Sequence, residues 1–304
     1  MIDAISPLHA LAYAAPDALE RMPDDMLALI AYDYEITLRP EQRIPPGDWR
    51  SFGFIAGRGF GKTLGIAHEI NRRVACGECR APALMGPTVD RVRDVQVATL
   101  VATAPPWCAC EPYGDGVRWD NGVVAEAATA EIERPSSGSN FDLVWMTEIV
   151  RWNPNTRRAA FNDVTTACRV GPRPQYLWDT TSSGKNDVIA LLLEQHEADP
   201  AAHRIVRGTM FDNPLLTRGY IVDECLKYGR GTRAYDEEIL GLVFAEAAGA
   251  LWRDEWITTY RAHARPIDPT VVVLGLDPAL SGDATADEVG IARAARTASG
   301  DIYV

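Results

Sequence analysis

Residues 57–63 have the composition and spacing of a loop that binds phosphate groups. After a short apolar run and before a helical pattern come Gly57, Arg58, Gly59, Phe60, Gly61, Lys62 and Thr63. Glycines let backbone N–H groups curl around a polyphosphate, and the helix N-terminus adds positive potential. Lys62 then contributes a point charge to the β- and γ-phosphates, and Thr63 holds Mg²⁺. The loop predicts a nucleotide site.

One position departs from the G-x-x-x-x-G-K-[ST] pattern, because its first glycine is Ala56 here. The alternative interpretation is a glycine-rich turn that contains a lysine by chance. Composition argues against a chance occurrence, because only three of the 30 basic residues are lysines, namely Lys62, Lys185 and Lys227. In a chain whose usual cation is arginine, a lysine in this turn indicates that a compact charge is needed.

Glu148 is a second candidate for chemistry, since it ends an apolar strand pattern that begins at Phe141. Ligands of open α/β sheets bind at the carboxyl ends of the strands, which places Glu148 at a ligand-binding edge. The segment resembles a Walker B strand, which normally ends in an aspartate for Mg²⁺ and a glutamate that orients the attacking water. This resemblance implies the water-orienting role for Glu148, whereas Thr147 stands at the aspartate position. Asp142 lies about 16 Å away along the strand and cannot replace it. The alternative is an exposed carboxylate at a helix start.

Three more polar residues are candidates for contact with a nucleotide. Thr180 and Thr181 end another strand pattern, where hydroxyls can sense a γ-phosphate or, alternatively, cap the next helix. Gln42 precedes the strand of the loop and is placed to contact an adenine edge, although a solvated linker fits the same residues. Which alternative holds for each residue depends on where the strands position its side chain.

Four of the six cysteines form two close pairs, Cys76 with Cys79 and Cys108 with Cys110. Together they could bind zinc, but the one-residue spacing of the second pair is tighter than in zinc knuckles. Buried free thiols are the alternative. A disulfide framework is not expected in a cytosolic chain of this length.

Short apolar strands alternate with helical patterns from Phe52 to Ser183. This alternation predicts an α/β fold with a parallel-rich sheet, helices on both faces and the glycine loop at its carboxyl edge. Asn121 and Gly122 indicate a hairpin inserted among these units. Two helical patterns at 216–228 and 232–244 follow without a strand between them and predict a lid.

Three parts of the chain are predicted from these patterns. Residues 1–48 are a helical leader with the adenine-side segment, and residues 49–262 are the nucleotide-binding domain with a lid at about 214–260. Residues 263–304 begin a new domain after a proline-containing linker. In it, residues 271–276 are predicted to form a buried strand that ends in Asp277, and residues 289–294 to pair with 301–304.

Composition restricts the partners and the location of the chain. Its 304 residues, 47% of them hydrophobic, have room for one large domain or two smaller ones. No apolar run approaches the roughly 18 residues of a membrane span. The first 20 residues contain no Lys or Arg, so a signal peptide is not expected and the location is predicted to be cytoplasmic. A net charge of −12 confines any DNA contact to a local surface.

Several motifs in order resemble the large terminase subunit of tailed phages and gene transfer agents, the motor that packages DNA into a capsid. The resemblance spans about residues 39–304. It rests on a Walker A loop at 57–63, the strand at 85–88, a Walker B segment at 141–152, a coupling motif at 180–182, lid segments at 228–232 and 249–252, and Asp277. Such an ordered set is more specific than the loop alone.

The resemblance implies a RecA/ASCE-like P-loop NTPase fold with a helical lid, followed by the start of an RNase H-like nuclease fold. ATP and Mg²⁺ are the implied cofactors, with Lys62, Arg58 and Glu148 as catalytic residues and Thr180 and Thr181 as the coupling motif. The implied partners are double-stranded DNA, a portal protein and a small terminase subunit, with a homo-oligomeric ring formed on docking.

Three features depart from the family pattern. Thr147 replaces the Mg²⁺-shell aspartate, so we expect slow, Mg²⁺-demanding turnover that Thr147→Asp raises and Glu148→Gln abolishes. Residues 136–138 stand where the family has a Leu-Arg-Gly turn whose arginine acts on a neighbouring subunit's ATP, and Arg134 is out of register. Asp277 resembles the first nuclease aspartate, but one carboxylate cannot position two Mg²⁺ or Mn²⁺ ions, so little nuclease activity is expected of a truncated domain.

Three hypotheses follow for the function. The first is an ATP-driven DNA translocase. The second is a degenerate, truncated terminase that binds nucleotide without turnover and acts as an assembly module, and the third is another P-loop phosphoryl-transfer enzyme. Metal-dependent ATP turnover would distinguish the first hypothesis from the second. Stimulation of that turnover by DNA would distinguish the first hypothesis from the third.

The sequence yields one prediction about the loop itself. Lys62→Ala should abolish nucleotide binding or turnover, because no other lysine is close in sequence to replace its charge. Equilibrium binding of ATP to wild type and variant measures this. An unchanged affinity would place the nucleotide elsewhere.

Overall fold

The computed structural model describes residues 11, 15–136, 138–182, 186–244, 259–260, 269–277 and 290–303. The chain divides into two units, residues 1–249 and 250–304. The domain boundaries expected at residues 48 and 262 stay predictions. Residues 245–258, which the sequence predicts to complete the lid and lead into the next domain, lie outside the described residues.

One sheet and its covering helices make up the first unit. Its strands are β1 (Ser51–Ala56), β2 (Pro82–Gly86), β3 (Cys110–Tyr113), β4 (Gly116–Trp119), β5 (Val124–Thr129), β6 (Leu143–Thr147), β7 (Gln175–Thr180) and β8 (His203–Gly208). Its helices are α1 (Pro16–Glu20), α2 (Asp24–Tyr32), α3 (Tyr34–Thr37), α4 (Lys62–Ala75), α5 (Val89–Arg91), α6 (Ala98–Thr103), α7 (Arg157–Ala167), α8 (Asp187–Ala198), α9 (Arg218–Tyr228) and α10 (Arg233–Glu238). A π-helical stretch, Val92–Val97, joins α5 to α6.

The sheet has eight strands in the order β3-β4-β5-β2-β6-β7-β1-β8. From β5 to β8 every neighbouring pair is parallel, and β3–β4 and β4–β5 are antiparallel. Every residue of β1, β2, β6 and β7 is buried, as expected of parallel strands covered on both faces. The predicted parallel-rich α/β sheet is confirmed, and the predicted hairpin is β4–β5. Sequence patterns missed β3.

Helices cover both faces of this sheet. On one face, Ile66 of α4 belongs to the same apolar core as Trp145 of β6 and Leu177 of β7. On the other face, Phe161 of α7 packs in a core with Trp178 of β7. Neighbouring residues of a strand point to opposite faces, which explains why Leu177 and Trp178 belong to different cores.

Strand β7 lies between β1, which leads into the glycine loop, and β6, which leads into Glu148. Its residues pair with both neighbours: Thr180 is in register with Ile55, and Asp179 is in register with Thr147. The carboxyl end of β7 is therefore placed between the two segments that the sequence singled out for chemistry.

The predicted lid consists, within the described residues, of α9 and α10. Helix α10 ends at Glu238, although its sequence pattern predicts helix to residue 244. Gly241 has a φ of +67°, and a Cβ there would lie 2.8 Å from the backbone nitrogen of Gly57. The N–H of Met210 donates to the carbonyl of Ile239 at 2.9 Å. The predicted second helix is too long because this chain leaves the helix to pack on the glycine loop.

The described strands of the second unit are β9 (Pro269–Asp277), β10 (Gly290–Thr297) and β11 (Ile302–Tyr303), antiparallel in the order β11-β10-β9. The predicted pairing of β10 with the final residues is present, but the described register joins Arg296, just after the predicted residues 289–294, to Ile302. The predicted burial of β9 is wrong, because Val273 and Leu274 are 59% and 67% exposed. Burial requires a layer packed on each face of a sheet, and the described residues of this unit contain none.

The longest described helix, α4, has 14 residues. Within the described part of the chain, no helix combines the length and apolarity needed to cross a membrane.

The packing of β1 on β7 gives a stability prediction. Gly53→Ala should lower the free energy of unfolding by about 1 to 3 kcal/mol, as overpacking does, because its Cβ would lie 1.9 Å from Cε2 of Trp178. Gly219→Ala in α9 is the matched control, since no atom lies within 4 Å of its Cβ position, and alanine favours helix. Urea unfolding measures both. Equal stabilities would contradict this packing.

Candidate functional site

The loop between β1 and α4 has its carbonyl groups held by hydrogen bonds. Lys62 Nζ donates to the carbonyls of Ala56 and Gly57 at 2.6 and 3.0 Å. Three further carbonyls accept from side chains outside the loop: Gly59 from Asn213 at 2.6 Å, Phe60 from Arg39, and Gly61 from Gln42 at 3.1 Å. The amides of Lys62 and Thr63 begin α4 without intrahelical acceptors, which leaves them available to an anion.

The predicted glycines of the loop occupy positions that other residues would disturb. Gly59 and Gly61 have φ values of +71° and +94°, in the left-handed region. A Cβ at Gly61 would lie 2.1 Å from Nε2 of Gln42, and one at Gly57 would lie 2.1 Å from the carbonyl oxygen of Ile239. This geometry and the buried lysine fit a polyphosphate.

Gln42 is part of the loop's support. Its Oε1 accepts from the backbone N–H of Arg39 at 3.2 Å while its Nε2 donates to Gly61. The predicted contact with adenine stays a prediction. Thr63, predicted to hold Mg²⁺, is half-buried in the first turn of α4.

Arg58 connects the loop to the lid. Its N–H donates to the carbonyl of Glu238 at 2.8 Å, and its Nε donates to the carboxylate of the same residue at 3.1 Å. Glu238 is the last residue of α10, and the guanidinium of Arg58 also lies over the ring of Tyr228 in α9, 5.7 Å from its centre. Any displacement of the lid helices therefore changes the environment of Arg58.

The ammonium of Lys62 is the electrostatic centre of this region. Burial lowers the pKa of Lys62 to about 8, and the negative charges of Asp179, Glu238 and Glu148 act in the opposite direction. These three carboxylates come from β7, α10 and the segment after β6. The fold thus brings residues far apart in sequence to act on one buried cation.

Glu148 is held in a strained conformation by an ion pair. Its φ of +50° is the only positive value of a non-glycine residue in the described chain, a conformation that costs about 1 to 3 kcal/mol and is typical of functional sites. Arg91 of α5 donates to both of its carboxylate oxygens, at 2.7 and 3.0 Å. Sequence analysis missed Arg91, because an arginine early in a helix carries no distinctive pattern.

Sequence analysis also gave no role to Asp179, which the fold places beside Thr147. The hydroxyl of Thr147 donates to Oδ1 of Asp179 at 3.0 Å, and the indole N–H of Trp145 donates to Oδ2 at 2.8 Å. Thr147 and Asp179 are both buried. A carboxylate near the end of a buried strand was the available signal. The expectation that Thr147→Asp alone raises turnover stays a prediction, and the repulsion between two adjacent buried carboxylates would oppose it.

The predicted coupling residues lie at the end of β7. Thr180 is buried, and its hydroxyl donates to the carbonyl of Thr181 at 2.7 Å and accepts from the N–H of Val150 at 3.1 Å. Thr181 is half-buried. Thr180 therefore ties the end of β7 to the segment that carries Glu148, rather than capping the next helix, which Asn186 does.

Two further residues were singled out by the sequence. Asp277 ends β9 in the second unit, and its side chain lies outside the described residues. Arg134 is exposed in the loop after β5, and its action on a neighbouring subunit stays a prediction.

The zinc interpretation of the cysteines is wrong. Among the described residues, which include all six cysteines, no group of three or more metal-ligating side chains forms. Cys79 donates to Asp142 at 3.1 Å instead, and burial raises the pKa of Cys110 to about 12, so both remain thiols.

The sheet order, the glycine loop and the lid define an α/β fold of the P-loop NTPase type. The solved structures that it resembles include a large terminase and the ATPase domain of another large terminase. The large terminase of a thermophilic bacteriophage matches with a TM-score of 0.52 and 14% identity over 71% of this chain and 52% of that one. The complex of that terminase with ATP-gamma-S gives a TM-score of 0.52 and 14% identity over 71% and 51%.

The large terminase ATPase domain of Thermus phage P74-26 matches with a TM-score of 0.51 and 15% identity over 73% of this chain and 98% of that domain. The chain spans about half the length of the thermophilic bacteriophage terminase. No protein-family model matches the sequence, and no curated protein matches it significantly. At these identities the comparisons establish the fold.

The Arg91 ion pair gives a prediction about turnover. Arg91→Ala should raise ATP hydrolysis severalfold without changing nucleotide affinity, because it removes both hydrogen bonds to Glu148 and makes the carboxylate available to orient water. Only the longer ion pair with Arg151, at 3.8 Å from Oε1, then remains. Arg93→Ala is the matched control, since Arg93 pairs with Asp90 and Asp115 at the exposed surface. Steady-state hydrolysis and equilibrium binding separate the two effects. Slower hydrolysis by Arg91→Ala than by wild type would mean that the Arg91–Glu148 ion pair supports the active geometry instead.

The environment of Asp179 gives a prediction about pH. Burial raises the pKa of Asp179 to about 6, while the hydrogen bond from Trp145 and the charge of Lys62 act in the opposite direction. Because the folded pKa exceeds the unfolded one, this carboxyl stabilises the fold below about pH 4 and loses that contribution as pH rises through about 6. Asp179→Asn should therefore gain up to about 3 kcal/mol over wild type between about pH 4 and 7. Urea unfolding across this range measures the gain, and a pH-independent difference would contradict it.

Proposed function

We propose that this chain is the ATP-hydrolysing motor subunit of a viral or prophage terminase, which moves double-stranded DNA into a procapsid. One observation carries the proposal: the glycine loop with Lys62 lies at the carboxyl edge of a parallel sheet and is joined through Arg58 to a helical lid. The fold of large-terminase ATPase domains supports it, as do the thermophilic bacteriophage terminase structures in complex with ATP-gamma-S and with ADP.

In this proposal, the loop binds the phosphates of ATP through its amides and Lys62. Thr63 and Thr147 would hold Mg²⁺, which neutralises charge on the β- and γ-phosphates when bound. Glu148 orients the attacking water once Arg91 no longer occupies both of its oxygens. The loop follows the carboxyl end of β1, and Thr147 and Glu148 stand at the carboxyl end of β6.

The lid and the coupling residues transmit the state of the nucleotide. Arg58 donates to the carboxylate of Glu238 at the end of α10. A γ-phosphate near the loop is a stronger acceptor for an arginine than a carboxylate, since it carries more charge. Movement of Arg58 to the phosphate would then free α10, while Thr180 links β7 to the Glu148 segment.

The partners proposed for this motor are double-stranded DNA, a portal protein and a small terminase subunit. The net charge of −12 makes a local DNA contact the expected arrangement. A homo-oligomeric ring would allow Arg134 to act on a neighbouring subunit's ATP. We place the motor in the cytoplasm of a bacterial host, where such partners assemble.

The second unit is proposed to belong to an RNase H-like nuclease domain. Asp277 at the end of β9 would be one ligand for Mg²⁺ or Mn²⁺ if the remaining carboxylates of such a site were supplied. Cleavage of DNA is not proposed for residues 1–304 alone.

A second candidate function is a nucleotide-binding assembly module without turnover. Thr147 in place of an aspartate and the engagement of Glu148 by Arg91 are the observations that favour it. Another P-loop phosphoryl-transfer enzyme is the third candidate.

Hydrolysis of ATP with and without double-stranded DNA tests these functions. The motor predicts Mg²⁺-dependent hydrolysis that DNA stimulates and that both Lys62→Ala and Glu148→Gln abolish. Glu148→Gln should still bind ATP, and Glu126→Gln on the exposed side of β5 is its matched control. Binding without hydrolysis would establish the module, and hydrolysis indifferent to DNA would favour the third candidate.

A further inference from the structure

Strand β7 carries a buried carboxylate beside the position where the Mg²⁺-shell aspartate is missing. Asp179 is 2% exposed and in register with Thr147 of β6 and with Phe54 of β1. It therefore lies on the strand between the glycine loop and the Glu148 segment. In the described sheet, β7 alone separates β1 from β6.

The side chains of Thr147 and Asp179 point to the face of the sheet that α4 covers. Trp145 and Leu177 precede them by two residues on the same strands, and both belong to the core that contains Ile66 of α4. Residues two apart on a strand share a face. Lys62 begins α4, so the carboxylate of Asp179 lies on the side of the sheet from which the phosphate-binding lysine extends.

The charge of Asp179 has no direct cationic partner among the described residues. Its two oxygens accept neutral hydrogen bonds from Thr147 and Trp145, and no described cation lies within ion-pair distance. Lys62 acts on it from further away. Buried charges in proteins are normally paired or placed near metal ions, so this carboxylate favours a site where a cation is expected.

We propose that Asp179 replaces the missing aspartate of position 147 in positioning Mg²⁺ for the bound nucleotide, acting through the hydroxyl of Thr147. This inference rests on the proposed function. Because Thr147 donates its hydroxyl hydrogen to Asp179, its oxygen lone pairs are left to accept from a water of the metal shell. The carboxylate makes that oxygen a better acceptor and contributes the negative charge that threonine lacks. Asp179 is thus a positioning residue.

The test measures Mg²⁺ dependence of nucleotide binding, not turnover. Affinity for a fluorescent ATP analogue is determined in EDTA and across a Mg²⁺ titration. Asp179→Asn should not weaken the metal-free affinity, since it removes a negative charge that acts on Lys62, and should raise the Mg²⁺ needed for half-maximal enhancement by roughly tenfold or more. The asparagine can still accept from Trp145, and its amide can donate to Thr147, so a hydrogen bond remains at each contact. The Thr147 bond is reversed in direction and the carboxylate charge is removed.

An exchange variant separates charge from structure. In the double variant Thr147→Asp/Asp179→Asn, the carboxylate lies on β6 instead of β7. This variant should need the same Mg²⁺ concentration as wild type for half-maximal enhancement. Trp145→Phe removes the other hydrogen bond of Asp179 and should leave that requirement unchanged at a pH well above the pKa of Asp179, where the carboxylate stays ionised. If a thermal melt shows that Asp179→Asn is unfolded, the exchange variant alone tests the inference. A higher Mg²⁺ requirement in the exchange variant than in wild type would overturn it.

The possible failures are distinguishable. Wild type that binds the analogue no better than Lys62→Ala would overturn the proposed function itself. Wild type whose binding Mg²⁺ enhances, together with an unchanged Mg²⁺ requirement in Asp179→Asn, would overturn only the role of Asp179. A requirement raised equally by Trp145→Phe would show that the hydrogen-bond geometry, rather than the charge, is responsible, and would also overturn it.

Discussion

The buried ammonium of Lys62 is the interaction on which the first unit depends. A buried cation is unfavourable unless hydrogen bonds and opposite charges compensate for the lost water. Two loop carbonyls accept from Lys62, and the carboxylates of Asp179, Glu238 and Glu148 act on it from three different elements. Because that charge fixes the carbonyls of Ala56 and Gly57, it also fixes the path of the loop that an incoming phosphate would meet.

Three further carbonyls of the loop are held by residues from two distant segments. Arg39 and Gln42 precede β1, whereas Asn213 follows β8. The segment before β1 also packs tightly on α4, since a Cβ at Gly65 would lie 2.4 Å from the carbonyl oxygen of Gln42. The segment before β1, which the sequence predicts to be a leader, therefore supports the loop. The connection between β8 and the lid, which contains Asn213, supports it as well.

Strand order explains how the acidic side chains reach this loop. Inserting β7 between β1 and β6 sets Asp179 beside Thr147 and ties Thr180 to the backbone after Glu148. The strained backbone of Glu148 and the buried charge of Asp179 both oppose folding, because each keeps a group in a state that water or another conformation would favour. Groups held in energetically unfavourable states at one edge of a sheet are typical of ligand-binding and catalytic sites.

The sequence by itself determined the parts of the fold whose signals are local. Glycine spacing, an apolar run and a helical pattern are properties of neighbouring residues, so the loop, the parallel-rich sheet and the place of Glu148 could be predicted. The pairing of Arg91 with Glu148, and of Asp179 with Thr147, could not. Those contacts depend on strand order, and strand order follows from how the whole chain buries its apolar faces rather than from any short pattern. For the same reason, the length of α10 and the exposure of β9 were decided only by the tertiary structure, which determines what packs against each segment.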